Sequence, residues 1–143
     1  MMYDQASDLG MLSAIPPAAA LTNANTPYVS TILDCQGKHA VTLAMLTGTE
    51  TDADATATVL LEESDASNMA GATTVAAGDL IGTAALAGFT FADDNEPRKL
   101  GYKGAKRYIR ATVTPAANDA GSIFLAALWL WADNLAPEPN PPV

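Results

Sequence analysis

The sequence predicts an all-β protein, a β-sandwich or jelly-roll, with an extended N-terminal arm and a Pro-rich C-terminal tail. Apolar residues recur with period two in several short segments, the pattern of strands half-buried on one face. Clusters of Gly, Pro, Asn and Asp separate those segments, and these residues set turns. The length of 143 residues suits one domain that can bury a core without disulfide or metal staples.

Residues 1–27 read as an irregular arm. Pro16 and Pro17 interrupt regular structure, and Asn23, Asn25 and Pro27 are turn residues. The arm is too apolar to stay solvated and is expected to lie along another surface. The sandwich itself is expected over residues 28–133. Its first strand, 28–35, is rich in β-branched residues, and Gln36-Gly37-Lys38 reads as a turn.

Residues 39–46 alternate, with Val41, Leu43 and Met45 on one face and Ala40, Thr42 and Ala44 on the other. A polar loop follows over 47–54. In the next strand, 55–63, Ala57, Val59 and Leu61 point inward, and Thr56, Thr58 and Glu62 point outward. Residues 64–78 are small and polar and read as a long loop, with room for a helical turn near Ala66 to Ala70.

Short strands are expected at 79–83 and 88–91, then a loop at 93–97 and a tight hairpin turn at Lys103-Gly104. In the strand 106–114, Ile109, Ala111 and Val113 face one way, and Tyr108, Arg110 and Thr112 the other. After a turn region at 115–121, the run 123–131 is nearly all apolar. It reads as a buried strand in preference to a short buried helix. Residues 134–143 carry four prolines and should be extended.

The net charge is −9, which argues against binding nucleic acid over the whole surface, because phosphate contacts need clustered Lys and Arg. The cations are unevenly spread. Apart from Lys38, all of them (Arg98, Lys99, Lys103, Lys106, Arg107 and Arg110) fall within thirteen residues. This segment is either a contact face for an acidic neighbour or a set of cations balancing Asp93, Asp94 and Glu96. Trp129 and Trp131 share one strand face, as core residues or as interface anchors.

Cys35 is the one cysteine, so no intrachain disulfide forms, which fits folding in a reducing cytoplasm. No apolar run is long enough to span a bilayer, and the start of the chain lacks the basic leading region of a signal peptide.

Chemistry is hard to assemble from these residues. His39 is the single histidine; it lies four residues from Cys35, with no oxyanion or substrate signature beside the pair. One Cys and one His do not make a zinc site. The acidic groups around Glu50, Glu62 and Asp93 lack the remainder of a calcium loop, and the glycines match neither a phosphate loop nor a dinucleotide fingerprint. The expectation is no catalytic residue, no metal and no cofactor.

The segment Gly101-Tyr102-Lys103-Gly104-Ala105-Lys106-Arg107-Tyr108-Ile109-Arg110 resembles a segment of small structural proteins of tailed bacteriophages and prophages. There the pattern runs Gly-Tyr-x-Gly-x-Lys-Arg-Tyr, an aliphatic residue, then Arg. The strand ending Leu61-Glu62-Glu63-Ser64-Asp65, the segment Asp79-Leu80-Ile81-Gly82 and the final apolar strand before Ala136-Pro137 are also similar. The resemblance covers roughly residues 28–137 in order.

It implies a virion protein of the phage head, made in the host cytoplasm, that decorates or cements the capsid surface. Its partners would be the major capsid protein or other virion proteins, with neither nucleic acid nor membrane; the low surface charge and the two apolar arms favour a homo-oligomer, a trimer being one expectation. The alternatives are a head spike, a head–tail joining or tail protein, or a carbohydrate- or cell-surface-binding module. Interface candidates are Arg98, Lys99, Lys103, Lys106, Arg107, Arg110, Trp129 and Trp131, together with Pro137, Pro139 and Val143 of the tail.

Overall fold

A computed structural model describes residues 5–132. Thirteen strands follow one another in this part of the chain. They are β1 (Gly10–Ile15), β2 (Leu21–Thr22), β3 (Tyr28–Val29), β4 (Leu33–Asp34), β5 (His39–Thr47), β6 (Thr56–Ser64) and β7 (Thr73–Thr74), then β8 (Leu80–Ile81), β9 (Phe89–Thr90), β10 (Pro97–Tyr102), β11 (Tyr108–Ala116), β12 (Ser122–Ile123) and β13 (Leu125–Ala132). A single turn of helix, α1 (Ala84–Ala87), starts at Thr83, whose hydroxyl accepts from the Leu86 N–H at 3.1 Å.

The strands form two packed antiparallel sheets, as the alternation predicts. One has the order β1-β13-β5-β10-β8. In the other, β11 and β6 are central; β3 and β4 flank β11, and β7 and β9 flank β6. A ribbon of β12 and β2 closes one end. The core between the sheets is built from the inward residues of the long strands. Val41, Leu43, Met45, Leu100, Trp129 and Trp131 of the first sheet meet Val59, Leu61, Ile109, Ala111 and Val113 of the second. Burying such side chains contributes about 1.5–3 kcal/mol each, and this is what selects the register.

Three expectations are corrected. The first is that the arm is irregular throughout: β1 lies within residues 1–27 and pairs with β13 as an edge strand, so the sandwich begins before Tyr28. The two prolines follow β1 and end it. Ala14 is an extra residue between the pairs Ser13–Leu128 and Ile15–Ala127, and this bulge lets Ala14 and Ile15 both be buried. The second is the hairpin at Lys103-Gly104. Because β10 pairs with β5 and β8 while β11 pairs with β6, residues 103–107 cross from one sheet to the other. The third is full burial of the run 123–131. It is a strand, but β13 buries alternate residues only, and Leu128 on its other face is exposed.

Candidate functional site

Three surfaces of the sandwich stand apart chemically. The first is the outer face of the five-stranded sheet. Outward positions are Met11 and Ser13 on β1, Ala126, Leu128 and Leu130 on β13, Thr42, Ala44 and Leu46 on β5, and Pro97 and Lys99 on β10, as the registers require. Leu46 is 54% exposed and Leu128 42%. A groove of about 350 Å³ runs between Ser13, Pro17, Ala44, Leu46 and Leu128 and is almost wholly apolar. The outer face of the other sheet carries Thr56, Thr58, Thr112, Thr114 and the Arg110–Glu62 pair, with Leu60 and Val29 also exposed on it.

The second surface is a cleft of about 520 Å³ at the crossover. Lys38 and His39 from the start of β5 meet Lys103, Lys106 and Arg107 there, and no acidic residue lines the cleft. A bulge prepares this geometry. Between the pairs Thr42–Leu130 and His39–Ala132, β5 carries one residue more than β13. Ala40 takes a left-handed φ of 48°, which redirects the chain at His39 and Lys38. The Lys38 ammonium sits 4.7 Å from the centre of the Trp131 ring, a cation–π contact.

Tyr102 shapes the crossover. Its hydroxyl donates to Glu63 of the opposite sheet at 2.8 Å and accepts from the Lys106 N–H at 3.0 Å. Burial, and then the Glu63 carboxylate, hold this phenol well above its ordinary pKa, so it stays a donor. A Cβ at Gly104 would lie 2.5 Å from the Tyr102 ring, so the glycine lets the loop close over the tyrosine. On the rim, Arg107 grips Asp34 with two hydrogen bonds, at 3.0 and 2.7 Å, and Lys106 pairs with Asp65. Burial pushes the Cys35 thiol up to about 11, so it is protonated at neutral pH and a poor nucleophile.

The third surface is the opposite end of the sandwich, where residues 48–55, 91–96 and 117–121 gather. Asp94 accepts from the Glu50 N–H at 2.7 Å, and Asp52 accepts from the Ala120 N–H at 2.7 Å. Asn118 is buried and donates to Leu21 and Ala24 carbonyls, at 3.0 and 2.8 Å. Glu50 is only 1% exposed, and neither carboxyl oxygen has a hydrogen-bond partner among the described residues. Burial first, then Asp94 and Asp93, push its pKa up to about 7.

The cations expected on one face are thus divided. Lys103, Lys106 and Arg107 line the cleft. Arg98 lies at the acidic end, 2.6 Å from Asp93. Lys99 is exposed on the outer face of the five-stranded sheet, opposite Ala44. Arg110 lies on the other outer face and donates twice to one oxygen of Glu62, at 3.2 and 2.8 Å.

Both tryptophans are core residues. Trp129 is fully buried and donates to the Thr31 carbonyl at 3.0 Å, and Trp131 covers Gly10, where a Cβ would fall 2.0 Å from the indole nitrogen. Pro137, Pro139 and Val143 lie outside the described residues. Reading the sequence missed Lys38 and His39 as neighbours of the basic segment, and it missed the apolar outer face. The available signal for that face was the run 123–131, apolar on both parities.

Among the described residues no helix is long and apolar enough to cross a membrane, and no group of three or more His, Cys, Asp or Glu is placed to hold a metal ion. No protein-family model and no curated protein sequence matches the chain. Among solved structures, it is similar to the CBM22-1–GH10 modules of the Clostridium thermocellum N-terminal endo-1,4-beta-D-xylanase 10B complexed with xylohexaose. The identity is 8% and the TM-score 0.46, over 92% of this chain and 27% of that one. The chain spans little more than a quarter of that protein's length, and a likeness of this degree says nothing of what it binds.

Proposed function

We propose that this protein is a non-enzymatic structural component of a tailed-phage virion that decorates or cements the head surface by protein–protein contact. The observation that carries the contact reading is the outer face of the five-stranded sheet. A sheet face turned to water normally alternates to polar residues; the other outer face does so more fully, with Leu60 and Val29 exposed among its threonines and the Arg110–Glu62 pair. On the five-stranded sheet Leu46, Leu128, Ala44, Ala126 and Met11 stand where threonines would serve. An apolar face of this kind gains free energy by being covered. The phage assignment is supported by the resemblance carried by residues 101–110. The shell of the head is the partner the apolar face would seat on, and the threonine-rich face would turn to solvent.

Replacing Leu46→Glu together with Leu128→Glu tests this reading. Both side chains are exposed, so the fold should hold within about 0.5 kcal/mol. Co-sedimentation with empty phage heads lacking the protein should fall to background. Undiminished attachment of the folded double variant would sink the proposal.

A further inference from the structure

Strand direction sorts the charges of this molecule by end. β5 runs from the cleft to the acidic end over nine residues, about 30 Å at ~3.3 Å each. β13 and β6 run the other way, from the acidic end to the cleft. The cleft end therefore collects Lys38, Lys103, Lys106 and Arg107. The far end collects Asp52, Asp54, Asp93, Asp94, Glu96 and Asp119, with Arg98 as the one cation, held by Asp93.

Within the cleft, Lys106 and Arg107 already hold Asp65 and Asp34. Lys38 and Lys103 have no carboxylate within ion-pair distance among the described residues. At the far end, Asp54, Glu96 and Asp119 are exposed, and none of them is ion-paired there.

We infer that a second copy of this chain docks end to end, its exposed acids Asp54, Glu96 and Asp119 entering the cleft lined by Lys38 and Lys103. The contact joins two different surfaces, so it is heterologous and repeats until it closes a ring or extends a row. It does not depend on the virion reading or on the apolar face, which stays free for another partner.

Two copies of net charge −9 repel at long range. The screening length is about 8 Å at ~0.15 M salt, far shorter than the sandwich, so near-physiological salt leaves the facing ends to decide. The association therefore has a salt optimum. It is weak at very low salt, where whole-molecule repulsion acts, and weak again in concentrated salt, where the end contact is screened.

Sedimentation velocity of the full chain across a salt series tests this. Wild-type protein should associate most at intermediate salt. Lys38→Glu with Lys103→Glu should weaken association by about tenfold or more, because like charges then face each other. Asp54→Lys with Glu96→Lys should do the same. A mixture of the two swapped proteins should associate again, since each cleft then meets an end of opposite sign. If Lys38→Glu disturbs the stacking on Trp131, Lys103→Glu alone serves as the cleft variant. A wild-type monomer at every salt concentration, or a mixture no more associated than its parts, overturns the inference.

Discussion

The two ends of the sandwich handle charge in opposite ways. At the cleft end, the acids on the rim find partners: Asp34 with Arg107, Asp65 with Lys106, and Glu63 with the Tyr102 hydroxyl. At the acidic end, Glu50 is buried, and neither carboxyl oxygen has a hydrogen-bond partner among the described residues. The difference follows from how each end is closed. One crossover loop folded over a tyrosine closes the cleft end. Backbone and side-chain bonds between loops close the other, such as Thr47 with Asp93 and Glu96, Gly48 with Phe124, and Thr51 with Ser122. Glu50 lies within that junction, its N–H bonded to Asp94 and its side chain buried. The lesson is that carboxylates near one another in sequence can differ in kind according to what packs over them.

The largest expected effect is on the acidic end. The pKa of Glu50 is raised from 4.5 to about 7 in the folded protein, so the native state holds the proton more tightly than the unfolded chain does. Its contribution to stability is full below about pH 4.5 and is lost as the pH rises through about 7. Chemical denaturation should show wild-type stability falling by about 2–3 kcal/mol between pH 5 and 8. In Glu50→Gln that slope should vanish, leaving the variant more stable than wild type at pH 8. Asp93 acts with the opposite sign. Its carboxyl is held low by the Thr90 N–H first and by Arg98 after that, so its contribution is lost only on acidification below the ordinary carboxylate range. A wild-type slope that survives in Glu50→Gln would mean another group is the source.

The next effect sharpens the contrast from the cleft end. Tyr102→Phe keeps the ring that packs on Gly104 but removes the hydroxyl between Glu63 and Lys106. A partly buried carboxylate and a backbone N–H then lose a partner together, which costs about 1–2 kcal/mol. The loss should be flat from pH 6 to 9, because the phenol does not ionise in that range. A difference from wild type that itself changed by about 2–3 kcal/mol between pH 5 and 8, as the Glu50 contribution does, would erase the distinction between the ends.

Most of the inner architecture was legible in the sequence, because burial on one face imposes a period of two. Val41, Leu43 and Met45, and likewise Ile109, Ala111 and Val113, fall inward as their alternation requires. What was not legible depends on which strand meets which. Lys103-Gly104 has the chemistry of a hairpin turn, and a sheet-to-sheet crossover uses the same residues, so only the pairing of β10 with β5 distinguishes the two. Lys38 joins the cleft through that same pairing. The prolines at 16 and 17 signal the end of regular structure, yet they say nothing against a strand just before them. Glu50 looks in sequence like any acid of a polar loop, and no local pattern marks its burial.

The smallest expected effect belongs to the rim pairs. Arg107 and Asp34 are each more than 40% exposed, and Lys106 and Asp65 are more open or similar. Two exposed side chains lose rotamer freedom when held together, and water screens their attraction, so such pairs contribute little to folding. The Arg107 guanidinium first, opposed by desolvation and then helped by the Gln36 N–H, holds the Asp34 carboxyl below its ordinary range. Any contribution is therefore present above the ordinary carboxylate range and fades only in strong acid. Asp34→Asn should leave the midpoint of chemical unfolding unchanged at pH 7, in both dilute and concentrated salt. The same substitution releases Arg107 into the cleft as a third uncommitted cation beside Lys38 and Lys103. End-to-end association should then rise while stability stays constant, which separates the rim's part in contact from any part in folding. A lowered unfolding midpoint in Asp34→Asn would show that the rim pair supports the fold, and the contrast between the two ends would be smaller than their geometry implies.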